Sequence, residues 1–235
     1  MSVPSLSELL IAKAARPQPP RLRLSLAGLA CVRELFYRAT GAEAEPTKPE
    51  GLLKMALGTG LDALLLSGEA GGWRFQVPVT VTLGGLSVQG TADAVWFDEN
   101  GEPAHVADLK TVGSTTWAKV QKEPKQEHRA QCQLYAYGLG AATWSVCYVN
   151  ADTGERLEHF GQTDAFTARR DFGAFEEAAY WMGRGEPPPR PYEDIEEEDG
   201  TVKVARDRFP CAWCAYKATC WPGRSKEDEQ PVQAA

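Results

Sequence analysis

A chain of 235 residues with 43% hydrophobic content can bury one substantial core with a small appendage, and its formal charge of −7 argues against nonspecific affinity for nucleic acid, which needs a locally positive surface. No run of about 18 apolar residues appears and Met1 to Arg16 lacks the long apolar centre of a secretory signal, so neither a helical membrane span nor export is supported and a cytoplasmic protein is expected. In that reducing compartment the six cysteines read as metal or cluster ligands and isolated core residues rather than disulfides, with Cys132 and Cys147 assigned to the core.

In chain order, Ser5 to Ala15 reads as a short helix, cut off by the breaker Pro17-Gln-Pro-Pro20. Apolar spacing predicts a helix from Ala27 to Arg38, ended near Thr40-Gly41, which puts Cys31 within or beside it. Leu52 to Leu66 repeats the helical pattern. The period then changes: Phe75 to Leu83, Leu86 to Phe97 and Ala104 to Thr111 are rich in Val, Thr and aromatics and separated by Gly84-Gly85 and Asn100-Gly101, which predicts a three-stranded meander. Asn100-Gly101 is a strong signal for a two-residue type I′ turn flanked by Glu99 and Glu102. That register sets Asp93 opposite Asp108, on a face shared with Val95, Phe97, Val106 and Lys110. Ala92, Trp96, Ala107 and Leu109 take the other face. Both faces are mostly apolar, as in a sheet covered by helices on each side.

Cross-strand carboxylates have Cβ atoms about 4.5 to 5.5 Å apart and repel unless something neutralises them. A divalent cation does so, and hard oxygen ligands select magnesium or manganese. Lys110 would supply positive charge at a reacting phosphate or orient the attacking water. An acid pair with a snorkelling lysine reads the same way, and the next helix helps to separate the two. Glu127 to Leu139, ending at Gly140, sets Gln131 and Tyr135 four residues apart on one face, with Gln133 and Tyr137 well round the helix from them. Gln131 and Tyr135 are assigned to the site; His128, on the same helix, is read as surface.

Near the C-terminus Cys211, Cys214 and Cys220 form C-x2-C-x5-C, and with Cys31 they make a four-thiolate set that suits either tetrahedral zinc or an iron-sulfur cluster. Spacing leaves the metal open. Trp213, Tyr216 and Trp221 are expected to shield it. The acids Glu193 to Asp199 and Glu227 to Glu229 hold much of the negative excess, while Arg33, Arg38, Lys119, Lys122 and Arg129 are candidates to track a DNA backbone and Trp117 to stack on a base.

Gly90-Thr-Ala-Asp93, Val106-Ala-Asp108-Leu-Lys110-Thr and Gln131-Cys-Gln-Leu-Tyr135-Ala resemble, in order and spacing, the motifs of RecB-like PD-(D/E)xK nucleases. With the four cysteines, the chain resembles the iron-sulfur exonucleases of that branch, including the CRISPR-associated RecB-like exonucleases, their phage relatives and the AddB nuclease domain. The resemblance implies an α/β fold with a restriction-endonuclease-like mixed central sheet flanked by helices and the chain ends joined at a 4Fe-4S cluster. It implies an N-terminal helical segment over residues 1–50, a nuclease core over 51–190, and an acidic loop with the C-terminal cluster segment over 191–235. Asp93 and Asp108 become metal ligands with the Leu109 carbonyl, Lys110 becomes catalytic, and Gln131 and Tyr135 accessory. One position departs from the family: after Gly58-Thr-Gly-Leu stands Asp62 where a metal-binding histidine is usual, and its oxygens suit magnesium or manganese. The implied activity is metal-dependent exonucleolytic hydrolysis of single-stranded or free-ended DNA, in recombination, end processing or CRISPR adaptation, alone, as a homo-oligomer or with a partner. The Asp62 exchange also fits a catalytically weakened DNA-binding or adaptor protein.

Overall fold

Cys31 ends an extended stretch and opens the first α-helix as its N-cap; the helix, α1 (Val32–Thr40), starts five residues later than its apolar spacing predicts and closes on Gly41 in the left-handed region (φ 72°). A short 3-10 turn, Leu24–Leu26, lies just before the predicted start. The second helix, α2, spans Pro49–Leu65. The computed structural model describes residues 11, 19–29, 31–65, 69–193, 195–196, 202–203 and 210–222. The helix expected over Ser5 to Ala15 therefore lies, apart from Ile11, outside the described residues, as do Asp194, Glu197 to Asp199 and the acids of the tail.

The meander forms as the alternation requires. After the two-residue strand β1 (Glu69–Ala70) come β2 (Trp73–Leu83), β3 (Leu86–Phe97) and β4 (Pro103–Val112), antiparallel in sequence order. Leu83 pairs with Leu86 across Gly84 and Gly85, both at positive φ (56° and 82°), so the type I′ turn occurs here. At Asn100-Gly101 the turn differs from expectation. Asp98 N–H donates to the Glu102 carbonyl at 2.9 Å, and the Asp98 carboxylate accepts from the Asn100 and Glu102 N–H groups, closing a three-residue loop with only Gly101 left-handed. Pairing begins one residue out of the predicted step, at Phe97↔Pro103. A bulge between Trp96 and Phe97 then restores it, giving Val95↔Val106 and Ala94↔Ala107.

β4 pairs in parallel with β5 (Thr143–Asn150), and a parallel neighbour needs a crossover. Helices α3 (Ser114–Val120) and α4 (Gln126–Leu139) supply it, and α4 lies across β2 to β5. β6 (Arg156–Gln162) completes a six-stranded mixed sheet in the order β1 to β6. Val95, Val106, Val146 and Tyr148 are fully enclosed. The other face is more open than a sheet covered on both sides, since Trp96 is 38% and Phe160 70% exposed.

The long helix α5 (Ala165–Arg184) is capped by Asp164, whose carboxylate accepts from Thr167 N–H, and packs on α1 and α4. Beyond it a two-stranded ribbon pairs β7 (Ile195–Glu196) with β8 (Val202–Lys203). The last described segment holds a 3-10 turn, Cys211–Trp213, and the short α6 (Lys217–Cys220). It returns to α1: Tyr216 stacks on Tyr37 with ring centroids 5.6 Å apart, Glu45 N–H donates to the Ala215 carbonyl, and Thr219 Oγ1 donates to the Glu43 carbonyl.

Candidate active site

Backbone pairing between β3 and β4 runs to Ala94↔Ala107, and the next residue of β3 is Asp93. Its carboxylate takes over from the ladder, accepting from Leu109 N–H at 2.9 Å, and so is turned toward β4. There it meets Asp108, which has no exposed surface. Asp108 Oδ1 accepts from Gln131 Nε2 at 2.9 Å, and Oδ2 lies 2.5 Å from Lys110 Nζ. Gln131 Nε2 also reaches the Tyr135 hydroxyl at 3.2 Å. The predicted residues Asp93, Asp108, Lys110, Gln131 and Tyr135 are thus brought together.

Close approach of α4 to β3 depends on Gly90. A Cβ at that position would lie 2.7 Å from Tyr135 Cε1 and 2.9 Å from Leu24 Cβ, below real contact distances. The alternative helix pair faces elsewhere: Gln133 accepts from Trp144 Nε1 at 2.8 Å and donates to the Asp164 carbonyl, a structural bridge.

Burial is the largest influence on Asp108 and pushes its carboxyl up to about 7; Lys110 opposes this and Asp93 adds to it. For Lys110 burial works against the ammonium, yet Asp108 outweighs it and the net shift is upward. The acid is the partner that gives up its charge, because Asp108 is wholly enclosed while the Lys110 side chain keeps 23% of its surface exposed. Asp108 Oδ2 is buried with no hydrogen bond of good angle. Two adjoining carboxylates, one held partly neutral by burial, fit a hard cation that would let both ionise. Among the described residues no group of three or more His, Cys, Asp or Glu side chains converges on a metal position, and the Asp62 side chain, on α2, lies outside them.

His128 corrects the surface reading. Its Nδ1 is 2.8 Å from the Tyr148 hydroxyl, which also accepts from Lys125 N–H, and Tyr148 pairs with Lys110 across β4 and β5. Burial, then Lys110 and Lys125, lower His128 to about 3. The signal was its position three residues before Gln131, on the same side of one helix. Trp117 is a second correction: at 7% exposure it is core and cannot stack on a base. Arg33 donates to the Tyr37 hydroxyl and the Pro188 carbonyl, and Arg38 pairs with Glu34 at 2.7 Å, so both are engaged within the fold; Lys119 and Lys122 are exposed and Arg129 is half-buried.

Cys31, Cys211, Cys214 and Cys220 line one cavity with Arg33, Tyr37 and Trp221. Burial raises the thiols of Cys31, Cys211 and Cys214, the last to about 11. Tyr216 and Trp221 are buried beside them, but Trp213 is 86% exposed and shields nothing. Cys132 is core as expected, whereas Cys147 is half-buried.

No described helix is long and apolar enough to cross a membrane. The fold is similar to the crystal structure of SSO0001, with a TM-score of 0.53 and 18% identity over 94% of this chain and 97% of that one. The alkaline exonuclease LHK-Exo from Laribacter hongkongensis aligns with 76% of this chain and 97% of its own at 15% identity and a TM-score of 0.45. No curated protein matches the chain. The profile of the PD-(D/E)XK nuclease superfamily matches residues 10–221, nearly the whole length, and the chain belongs to that superfamily.

Proposed function

We propose that this nuclease-superfamily chain is a metal-dependent exonuclease that hydrolyses phosphodiester bonds of single-stranded or free-ended DNA. The observation that carries the reading is the meeting of Asp93 and Asp108 with Lys110 Nζ 2.5 Å from the buried acid. Asp93, Asp108, the Leu109 carbonyl and Asp62 are the ligands assigned to magnesium or manganese. When bound, such an ion activates water and offsets charge developing on phosphate oxygens. Asp93 is held in place by the Leu109 N–H and Asp108 by Gln131, so both carboxylates keep their aim without a substrate. Lys110, beside Asp108, would supply its ammonium to the charge of a reacting phosphate, and Tyr135 fixes the Gln131 amide.

We assign a 4Fe-4S cluster, with zinc as the alternative, to Cys31, Cys211, Cys214 and Cys220. Four half-buried cysteines lining one cavity support it, as do the cations Arg33, Arg190 and Lys217, which outnumber the one acid, Glu34, lining the same space and suit thiolate charge. Its role is a clamp between the C-terminal segment and α1. Recombination, end processing and CRISPR adaptation in a cytoplasmic setting all suit such an enzyme.

Labelled single- and double-stranded DNA incubated with magnesium or manganese tests the activity. The native protein is expected to degrade an end-labelled strand, and Asp108→Asn and Lys110→Met to leave it intact while keeping native circular dichroism. Binding without degradation in every metal would replace the enzyme by an adaptor.

A further inference from the structure

One member of the acid pair, Asp93, lines a groove that also carries basic residues. Arg21 and Arg23 line it together with Thr91, Asp93, Gln131 and Tyr135. The segment carrying the arginines is pinned to the sheet: Leu24 is fully buried, with its Cβ within 2.9 Å of where a Gly90 side chain would begin, and Arg23 forms a parallel bridge with Gln89. Arg23 Nη2 further donates to the Pro19 carbonyl at 2.6 Å. Arg23 is therefore held beside β3, the strand that carries Gly90 and Asp93, with Arg21 two residues away and exposed.

Their charge is out of keeping with the chain. The net charge is −7, yet burial and the neighbouring Arg21 and Arg38 hold the Arg23 guanidinium below its usual range. Like charges gathered in one place cost stability and favour a bound anion, and guanidinium forks match phosphate oxygens. Ser25, Thr80 and Thr91 line the groove and the Tyr135 ring is 1% exposed, so it offers hydroxyls and charge to a backbone and no open aromatic face to a base.

We infer that this groove is the path of a single nucleic-acid strand, in which Arg21 and Arg23 hold a backbone phosphate beside the one delivered to Asp93 and Asp108. The inference rests on the nuclease reading and adds to it a sequence-independent, one-stranded substrate path.

The test is fluorescence anisotropy of a fluorescein-labelled oligothymidine with the Asp108→Asn protein in magnesium, over a series of salt concentrations. Adding Arg21→Glu is expected to weaken binding about tenfold at low salt and to reduce the slope of log affinity against log salt by about 0.7 for each phosphate that is no longer neutralised. Arg21→Lys should keep the slope. Arg21 is exposed, so the melting temperature should be the same in all three proteins. Affinity and slope unchanged by Arg21→Glu would overturn the groove, and the nuclease reading would survive if the native protein still degrades DNA. Equal affinity for a labelled duplex, with the same weakening on Arg21→Glu, would overturn the one-stranded path. Neither binding nor cleavage by the native protein would remove both readings.

Discussion

Lys110 Nζ stands 2.5 Å from an oxygen of Asp108, whose side chain is entirely out of solvent. With its folded-state pKa at about 7 rather than near the ordinary carboxylate value, Asp108 binds its proton more tightly in the folded chain. Its contribution to stability is therefore complete at acid pH, below the unfolded value, and is lost as pH rises through 7. In the metal-free protein the loss is about 4 kcal/mol at most, at about 1.4 kcal/mol for each pH unit between the unfolded and folded values. Asp108→Asn should remove that slope, so urea denaturation in EDTA is expected to show the native protein losing ground against the variant from pH 4 to 8. Manganese should restore the native protein at high pH and leave the variant where it was.

Gly90 admits the Tyr135 ring to β3, and a methyl group there would sit 2.7 Å from Cε1. Gly90→Ala must push α4 outward or tilt the ring, at a cost of about 1 to 3 kcal/mol for overpacking. The Gln131 amide moves with the helix and its bond to Asp108 lengthens. Expected results are a lower melting temperature and a larger loss in kcat than in KM. Tyr135→Phe leaves the offending ring carbon in place and should not rescue the variant.

The acidic hairpin shows how far alternation reaches in a sequence. Its register was legible for a reason that was not: Asn100-Gly101 forms a three-residue loop instead of a two-residue one, and a bulge beside Pro103 cancels the slip. Alternation specifies which side chains face the core, and the chain absorbs a turn of the wrong length to keep that pattern. Helix α4 was legible from Gln131, Tyr135 and the stop at Gly140. The bond from Leu109 N–H to Asp93 was not, because it depends on two strands parting at one residue. Trp117 misled because α3 has only seven residues, too short a run to reveal which face is buried. The openness of the far face was hidden too, since an exposed Phe160 and a buried Phe172 look alike in a sequence.

His128 lies in the wall of the site with its pKa lowered to about 3 by burial and by Lys110 and Lys125. The unfolded chain, near 6.5, binds the proton more readily, so stability is full above that value and falls as pH drops toward 3. The slope within that window is up to about 1.4 kcal/mol per pH unit. His128→Gln keeps a partner for the Tyr148 hydroxyl without a titrating ring. Chemical denaturation between pH 4 and 7 should be measurably flatter for that variant, and an unchanged slope would assign the acid sensitivity to other groups.

The C-terminal segment is tied to the body by the stacked Tyr37 and Tyr216 rings, the Glu45 and Ala215 backbone, the Thr219 hydroxyl on the Glu43 carbonyl and Arg190 on the Cys220 carbonyl. A metal group linking the four cysteines that line one cavity would add a further restraint. Anaerobically purified native protein is expected to be brown and to carry iron, and Cys31→Ala or Cys214→Ala to be colourless. Limited proteolysis should cut the variants near the exposed Trp213 and spare the native chain. Tyr216→Ala separates the two contributions: it removes the ring stack while leaving every sulfur, so it should keep its iron and resist the protease better than either cysteine variant. Zinc in place of iron in a colourless native protein would keep the clamp and change its metal, whereas equal proteolysis of native and cysteine variants would mean that packing by the aromatic pair, and no linked cluster, holds the ends of the chain together.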